Sequence, residues 1–355
     1  MSLLKGLHQN RYYRGNVLHP SINFTLSHNS VIFAGYLYPI NRNMQVYNDL
    51  FSIKKDENTV ITIGTFDGIH LGHQEIIGKV KKKAAQLRAR NFLVTFNPHP
   101  RNVLSGPGSI KILSTLKEKE EILQKLGIEN LFVISFTKEF SQLPAEKFFF
   151  DYIINGIGLK KIIIGYDFHF GKGRGGSIET IIEMGKKNNF KVEKVGEVTL
   201  NGDKISSTEI RKALTEGDSE LVNELLGRNY SFSGIVVHGD KRGRTLGFPT
   251  ANIKIDDEDK LLPALGIYVV EFFVSGNKHY GLLSVGKRPT FYNEGNIVPE
   301  VYIYDFDEDI YDEYVTVNVI ERLRGEEKFS SVENLVKQMN KDKEAGLKIL
   351  SELIN

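Results

Sequence analysis

Residues 59–73 read TVITIGTFDGIHLGH, and this stretch decides the fold of the first half of the chain. The apolar, β-branched run at its start is typical of a buried strand, and the composition from Gln74 to Arg90 is helical. Between them, Gly64, Gly68 and Gly72 allow the backbone to come close to an anion. A strand, a glycine-rich turn and a helix in this order predict a phosphate site at a helix N-terminus.

Two histidines stand at the start of this helix. His70 and His73 are three residues apart, so they lie on one helical face. Imidazoles placed there can donate hydrogen bonds to phosphate oxygens as charge builds on a leaving pyrophosphate. Such a transfer needs positioning and charge stabilisation but no covalent intermediate. The alternative is a pair of histidines that only caps the helix, and the His-x-Gly-His pattern directly after an apolar strand disfavours it.

Short apolar strands alternate with amphipathic helices from Asn58 to about Gly227, which predicts a parallel sheet with helices on its faces. Ligands bind such sheets beyond the carboxyl ends of the strands. Three polar segments stand at predicted strand ends or helix starts. The sequence of the third segment is also consistent with a capping box. The candidate residues in these segments are Asn97, His99, Asp167, Ser206, Ser207, Thr208 and Arg211.

A second nucleotide pattern in this half is weaker. Gly171, Gly173 and Gly176 match G-x-G-x-x-G, the dinucleotide-binding fingerprint. The match begins well after Ile164, the last apolar residue of the preceding predicted strand, and it is not in the first strand–helix unit. We therefore favour a flexible, basic, glycine-rich loop over a ligand, and not an NAD or NADP site.

After Arg228 the pattern changes to successive predicted strands separated by turns rich in Gly, Asn and Asp. Val315, Val317 and Val319 alternate with polar residues, as in a half-buried strand. The succession predicts a closed antiparallel barrel or a sandwich, followed by a helix over residues 332–353.

A second anion-binding pattern opens this half, where residues 238–252 read HGDKRGRTLGFPTAN. Its cations and exposed N–H groups suit phosphates, although it is not a Walker A motif. Thr250 and Asn252 offer a hydroxyl and an amide oxygen, which are hard ligands suited to Mg²⁺. An ordinary basic hairpin turn is an equally good interpretation of this stretch alone. The other candidate ligand-contacting residues are Gly239, Lys241, Gly243, Arg244, Gly247 and Pro249.

Glu300 is the candidate base of this second site. It starts an apolar predicted strand, an unfavourable neighbourhood for a carboxylate. Phosphoryl transfer to an alcohol benefits from a base that takes the hydroxyl proton. On position alone, a surface acid at the edge of a strand is the commoner case.

The composition is that of a globular protein of two domains. The chain has 355 residues, a formal net charge of +2 and no cysteine. These values disfavour a nucleic-acid-binding protein and exclude disulfides and a cysteine nucleophile. We expect a cytoplasmic protein without a membrane segment, with domains at residues 44–228 and 229–355. Residues 1–43 show no sustained periodicity. We expect them to be a poorly ordered extension that precedes Met44, the expected natural start of the protein.

From about Asn58 to its C-terminus the chain resembles the bifunctional bacterial riboflavin kinase/FAD synthetase family, with the motifs in the family's order. The resemblance implies a Rossmann-like nucleotidyltransferase domain, then a six-stranded antiparallel β-barrel with a C-terminal helix. It implies that riboflavin and ATP give FMN and ADP in the second domain. FMN and ATP then give FAD and pyrophosphate in the first. The implied partners are small molecules, with no nucleic acid and no membrane, and self-association is left open.

The resemblance also implies residue roles. His70, His73 and Arg211 would serve adenylyl transfer, and Glu300 would be the catalytic base of the kinase. Thr250 and Asn252 would hold Mg²⁺ with ATP. The remaining residues that the resemblance places at ATP or flavin are Gly64, Phe66, Asp67, Gly68, Asn97, His99, Asp167, Ser206, Ser207 and Thr208 in the first domain, and Arg288 and Thr290 in the second. The chain departs from the family at His169, where Arg is usual, and at Ser284, where Asn is frequent.

Two other interpretations compete with the bifunctional enzyme. One is a riboflavin kinase whose first domain has lost adenylyl transfer, and the intact His-x-Gly-His and Ser-Ser-Thr-x-x-Arg segments oppose it. The other is a flavin- or nucleotide-binding regulator without turnover, which Glu300 opposes because binding alone needs no base.

Overall fold

The computed structural model describes residues 25–27, 30–33, 36–39, 43–239, 243, 246–287 and 297–354, the first three ranges by their backbone alone. Four predicted ligand-contacting residues lie outside this part of the chain: Lys241, Arg244, Arg288 and Thr290.

Before the first predicted domain, the described backbone forms an antiparallel meander of three short strands. These are β1 (Thr25–Ser27), β2 (Ser30–Phe33) and β3 (Tyr36–Pro39). The aperiodic sequence of residues 1–43 predicts no strands there. The domain limits at residues 43 and 228, and poor order in the extension, stay predictions.

The first half is built on a six-stranded sheet in which every neighbouring pair is parallel. Its strands are β4 (Gln45–Tyr47), β5 (Thr59–Ile63), β6 (Arg90–Asn97), β7 (Asn130–Ser135), β8 (Lys161–Gly165) and β9 (Lys191–Val195). This confirms the predicted parallel sheet. The central strand β5 is buried along its whole length, as its apolar run predicts.

Most α-helices of this half begin at side-chain caps, and Ala145–Phe148, which follows Pro144, is the exception. His70 caps the first helix, Thr115 and Glu118 form a capping box at the third, and Ser206 caps the seventh. The helices are α1 (Leu71–Leu87), α2 (Pro100–Leu104), α3 (Leu116–Lys125), α4 (Lys138–Ser141), α5 (Ala145–Phe148), α6 (Ile178–Asn188), α7 (Ser207–Glu216) and α8 (Ser219–Leu226). The helix predicted over 145–154 is α-helical only to Phe148 and continues as a π-helix, Phe149–Ile157.

The strand order of the sheet, β4-β7-β6-β5-β8-β9, places a switch point beside β5. From β5 the chain moves outward through β6 and β7 on one side, and later through β8 and β9 on the other. Loops that leave neighbouring strands at such a point diverge to opposite faces and open a crevice at their carboxyl ends. The turn after β5 therefore lies where a ligand is expected.

The second half is a closed antiparallel barrel, in the order β12-β13-β16-β15-β14-β17. A hairpin of β10 (Thr199–Leu200) and β11 (Asp203–Lys204) precedes it in the chain. The barrel strands are β12 (Tyr230–Val237), β13 (Thr250–Ile255), β14 (Gly266–Val274), β15 (Asn277–Lys287), β16 (Ile297–Ile303) and β17 (Tyr314–Gly325), followed by α9 (Val332–Ile354). The barrel and its final helix are confirmed, and Val315, Val317 and Val319 are fully buried in its core.

The two halves share a hydrophobic core. Ile210 and Leu214 of α7 and Leu226 of α8 pack in one cluster with the barrel residues Phe232 and Val317. The helices that end the first half thus pack on the barrel through apolar side chains. Within the described residues, no helix is both long and apolar enough to span a membrane.

Candidate active sites

The turn after β5 has a strained backbone that burial holds in place. Phe66 and Ile69 have φ angles of 47° and 43°, a conformation that is uncommon for bulky residues. Both side chains are buried in one hydrophobic cluster under the sheet. Gly68, with φ 81°, stands between them, and a Cβ there would lie 2.9 Å from Leu113. Packing of the whole domain therefore fixes the path of the backbone into α1.

Asp67 joins the turn to two distant segments. Its Oδ1 accepts hydrogen bonds from the backbone N–H of Leu113 at 2.9 Å and of Ser114 at 3.2 Å. Its Oδ2 accepts from the Arg211 guanidinium in an ion pair, and its backbone carbonyl accepts from Ser207 Oγ at 2.9 Å. The predicted ligand residues of α7 are thereby anchored to the predicted phosphate turn.

His70 and His73 stack with ring centroids 3.7 Å apart. His70 Nδ1 accepts from the His73 backbone N–H at 3.4 Å, so the hydrogen bonding assigns the proton of neutral His70 to Nε2. Burial, with Arg228 and Arg211, lowers the pKa of His70 from 6.5 to about 4. Burial also lowers the pKa of His73 well below its ordinary value, with the neighbouring His70 adding to the effect. Without ligand both imidazoles are neutral at pH 7, and each offers one N–H donor.

A cavity of about 800 Å³ opens at this point. Most of the residues predicted for the first site line it together: Gly64, Phe66, Asp67, His70, His73, His99, Asp167, Ser206, Ser207, Thr208 and Arg211. Gly68 and Asn97 do not line it. The N–H of Gly68 donates to Ser114 Oγ at 3.0 Å behind the turn, and Asn97 is exposed at the end of β6.

One wall of the cavity is aromatic, and of its residues only Phe168 and Phe170 lie in a segment that the sequence singles out, the one that contains Asp167. This wall is formed by Phe96, Phe136, Phe140, Phe148, Phe168 and Phe170. Phe168 and Phe170 stack at 5.5 Å, and Phe96 meets Phe136 edge to face at 5.6 Å. One end of the cavity is therefore polar and cationic, and the other presents flat apolar rings. Gly171 and Gly173, which match the dinucleotide fingerprint, also line the cavity.

The second predicted site lies on the outer face of the barrel. Asn252 of β13 stands opposite Glu300 of β16 in the ladder, and Thr250 Oγ1 donates to Glu300 Oε2 at 3.2 Å. The alternate residues Ala251 and Val301 are buried in the barrel core. Strand alternation therefore turns the three oxygen-bearing side chains to the opposite face, where they converge.

Glycines allow the preceding turn to pack closely on these residues. A Cβ on Gly239 would overlap the side-chain amide of Asn252. Gly243 accepts hydrogen bonds at its carbonyl from the N–H of Leu246 and Phe248, at 3.0 and 2.8 Å. Gly247 has φ 82° and is exposed, as is Pro249 before β13. The structure thus brings together the described members of the second predicted site.

Comparisons with known proteins match both halves. A family model described as FAD synthetase matches residues 52–209, and one described as riboflavin kinase matches residues 226–350. A bifunctional riboflavin kinase/FMN adenylyltransferase of Listeria monocytogenes is 41% identical over 290 residues, covering 81% of this chain and 91% of that protein. The Bacillus subtilis protein of the same description is 38% identical, covering 85% and 96%. The chain belongs to the bifunctional riboflavin kinase/FMN adenylyltransferase family.

The fold has a solved counterpart. A crystal structure from Streptococcus pneumoniae, described as a macrolide-efflux protein, gives a TM-score of 0.77 at 34% identity. It covers 86% of this chain and 98% of that one, so the likeness extends over both halves. The parallel-sheet half is the FAD synthetase domain of this family, and the barrel half is its riboflavin kinase domain.

The outer face of the riboflavin kinase barrel fits a divalent cation that ATP brings with it. Thr250, Asn252 and Glu300 supply hydroxyl, amide and carboxylate oxygens, the hard donors that Mg²⁺ prefers. In the described part of the chain, no three His, Cys, Asp or Glu residues cluster to hold a metal by themselves.

Two cations behind the FAD synthetase turn were not predicted, the half-buried Arg228 and the buried Lys119. Arg228 donates to the backbone carbonyls of Gly68 at 2.6 Å and Ile69 at 3.1 Å. Lys119 donates to the carbonyl of Thr65 at 2.7 Å, and burial lowers its pKa to about 8. Neither residue lies in a recognisable motif, because each acts on backbone that is far away in sequence. Their positive charges face the same turn as the predicted phosphate ligands.

Proposed function

We propose that this chain makes FAD from riboflavin in two ATP-dependent steps at two separate sites. The riboflavin kinase domain makes FMN and ADP, and the FAD synthetase domain makes FAD and pyrophosphate from FMN and a second ATP. The observation that carries this proposal is that two unlike sets of polar residues converge in one chain. One set surrounds Asp67, Arg211 and His70 in a cavity, and the other joins Thr250, Asn252 and Glu300 on the barrel.

In the kinase step, we assign Glu300 as the base that accepts the proton of the riboflavin 5′-hydroxyl. The hydroxyl oxygen bonds to the γ-phosphorus of ATP as the bond from that phosphorus to the bridging oxygen breaks, and ADP leaves. Thr250 and Asn252 would hold Mg²⁺, which supplies charge neutralisation at the ATP phosphates when bound. The hydrogen bond from Thr250 keeps the Glu300 carboxylate oriented on the same face as Asn252.

In the adenylyl-transfer step, a phosphate oxygen of FMN attacks the α-phosphorus of ATP, and the bond to the bridging oxygen of pyrophosphate breaks. No proton has to be removed from the attacking oxygen, so the domain needs no base. The neutral imidazoles of His70 and His73 and the start of α1 can donate to the leaving pyrophosphate. Arg211, held by Asp67, adds a fixed positive charge at the cavity wall.

The two ends of the cavity suggest how FMN and ATP share it. The aromatic wall, with Phe168 and Phe170, suits the flat isoalloxazine ring of FMN. The polar end suits the phosphates of both substrates. A cytoplasmic location, which the absence of cysteine fits, would supply both reactions with ATP.

One experiment tests the proposal against its alternatives. Purified protein is incubated with riboflavin, ATP and Mg²⁺, and the flavins are resolved by chromatography. We expect FMN to appear first and FAD to accumulate. FMN as the final product would favour a kinase without adenylyl transfer, and unchanged riboflavin would favour a binding protein without turnover.

A further inference from the structure

A short segment, residues 111–115, lies between the two domains and contacts both. On the riboflavin kinase side, the N–H of Ile112 donates to the carbonyl of Asp259 at 2.7 Å. The N–H of Leu261 donates back to the carbonyl of Ile112 at 2.9 Å. These bonds form a parallel bridge centred on Lys260, in the connection between β13 and β14. We call residues 111–115 the connecting segment.

Lys260 is buried inside this contact, with its side chain 1% exposed. Its ammonium group donates to Glu118 Oε2 at 2.6 Å, to the carbonyl of Leu113 at 2.7 Å and to the carbonyl of Ser231 at 2.7 Å. An ammonium group has three donors, and all three are used. Lys260 therefore ties the barrel to the connecting segment and to α3 with full hydrogen bonding.

The other side of the connecting segment faces the adenylyl-transfer site. The N–H groups of Leu113 and Ser114 both donate to Asp67 Oδ1. The carbonyl of Lys111 accepts from Arg211 Nε at 2.7 Å. Leu113 thus binds Asp67 through its N–H and Lys260 through its carbonyl. Leu113 is therefore the one residue between the Lys260 ammonium of the kinase domain and the Asp67 carboxylate that holds Arg211.

We propose that Lys260 is a positioning residue for adenylyl transfer, supplied to the FAD synthetase site by the riboflavin kinase domain. The inference rests on the proposed function of the first site. Lys260 does not line the cavity, so it acts through the connecting segment on Asp67 and Arg211. Loss of its ammonium removes the hydrogen bond that Lys260 donates to the Leu113 carbonyl and the ion-pair partner of Glu118 in a buried place. The connecting segment would then no longer fix Asp67, and Arg211 would lose its set position.

The test uses the full chain and separates positioning from stability. Lys260→Met removes the charge and keeps most of the side-chain volume. Lys260→Met combined with Glu118→Gln also removes the uncompensated carboxylate, while the amide oxygen can still accept from Thr115 N–H in the capping box. Lys348→Met, at an exposed position of α9, is the matched control. Each protein is assayed for riboflavin phosphorylation, for conversion of supplied FMN to FAD, and for its Tm.

We expect the double variant to have a higher Tm than Lys260→Met and the kinase activity of the parent, with FMN adenylylation still lower by roughly ten- to a hundredfold. Amide hydrogen exchange in the connecting segment should be faster in it, while the barrel strands keep their protection. Recovery of adenylylation together with the Tm would overturn the inference, because Lys260 would then only hold the domains together. Normal adenylylation in Lys260→Met alone would overturn it equally. If the parent protein makes no FAD, the proposed function fails instead, so the two failures are distinguishable.

Discussion

The two proposed phosphate sites of this chain are built in opposite ways. The FAD synthetase site gathers residues from a turn after β5, from β6, from β8 and from the start of α7, which are far apart in sequence. The described oxygen-bearing residues of the riboflavin kinase site, Thr250, Asn252 and Glu300, come from two paired strands, and their positions follow from one register, Asn252 opposite Glu300. The first site is a product of domain packing, and the second is a product of strand pairing within one barrel.

The difference has consequences for sensitivity to mutation. The turn Gly64–His70 keeps left-handed conformations at Phe66 and Ile69 only because distant groups hold it. Among these groups are Arg228, Lys119 and the connecting segment. The side chains on the face that carries Glu300 are positioned by strand pairing alone, so they depend only on the barrel being closed. Substitutions remote from the ligands should therefore affect adenylyl transfer more than phosphorylation, whereas loss of a reacting group should abolish either reaction.

The largest effect is expected at Glu300. Glu300→Ala should lower riboflavin phosphorylation by about a thousandfold or more, because the base that accepts the hydroxyl proton is lost. Conversion of supplied FMN to FAD should stay normal, because that site shares no residue with the barrel face. Steady-state assays of both half-reactions measure the change, with Glu344→Ala on α9 as an exposed acidic control. Loss of both activities would contradict separate sites.

His73→Ala should give the reverse pattern with a smaller effect. We expect FMN adenylylation to fall by roughly a hundred- to a thousandfold, since one preorganised donor to the leaving pyrophosphate is removed. Riboflavin phosphorylation in the same preparation is the control and should be unchanged. A variant that makes FAD at the parental rate would remove His73 from the set of residues that serve the reaction.

The site residues that could be predicted from the sequence are those that lie close together in the chain. The turn with His70 and His73 and the pair Thr250 and Asn252 could be found because their residues are neighbours in the chain. Arg228 and Lys260 could not, because their partners Gly68 and Glu118 lie 160 and 142 residues away. No local sequence pattern indicates a cation whose partner is distant in the chain.

The edge strands of the sheet could not be predicted from local sequence patterns either. The central strands of the sheet were predicted from buried apolar runs, but β4 and β9 were not. Both are edge strands with largely exposed or half-exposed side chains, so neither has a continuous apolar run. The sequence predicts no strand at residues 250–255 and leaves its start open between an anion-binding pattern and a hairpin turn, because Pro249 and glycines stand directly before it. In the structure, Thr250 and Asn252 are already part of the ladder.

Acid should destabilise the protein through the FAD synthetase domain. The folded state keeps His70 neutral down to about pH 4, whereas in the unfolded chain its pKa is near 6.5. The unfolded state therefore binds the proton first as pH falls below 6.5, and the free energy of unfolding decreases until about pH 4. At pH 5 this one group should lower it by roughly 2 kcal/mol.

His70→Asn isolates that contribution, since asparagine can still cap α1 and does not titrate. Urea unfolding at pH 7 and pH 5 should show a smaller loss of stability in this variant than in the parent. Carboxylates titrate in both proteins and cancel in the difference. An equal loss in the two proteins would show that His70 is not held neutral by its surroundings.

The smallest effect is expected at Ser284, which stands opposite Glu300 in the ladder between β15 and β16. Leu283 and Val285 on either side are buried in the barrel core, so Ser284 faces outward with Glu300. In Ser284→Asn the introduced amide can donate to the Glu300 carboxylate and stabilise its charged form. The hydrogen-bonded carboxylate is then a weaker acceptor for the proton of the hydroxyl. We expect kcat for riboflavin phosphorylation to fall by about threefold. The adenylylation rate should not change, and a loss of more than about tenfold in phosphorylation would show that this face cannot accept a larger side chain.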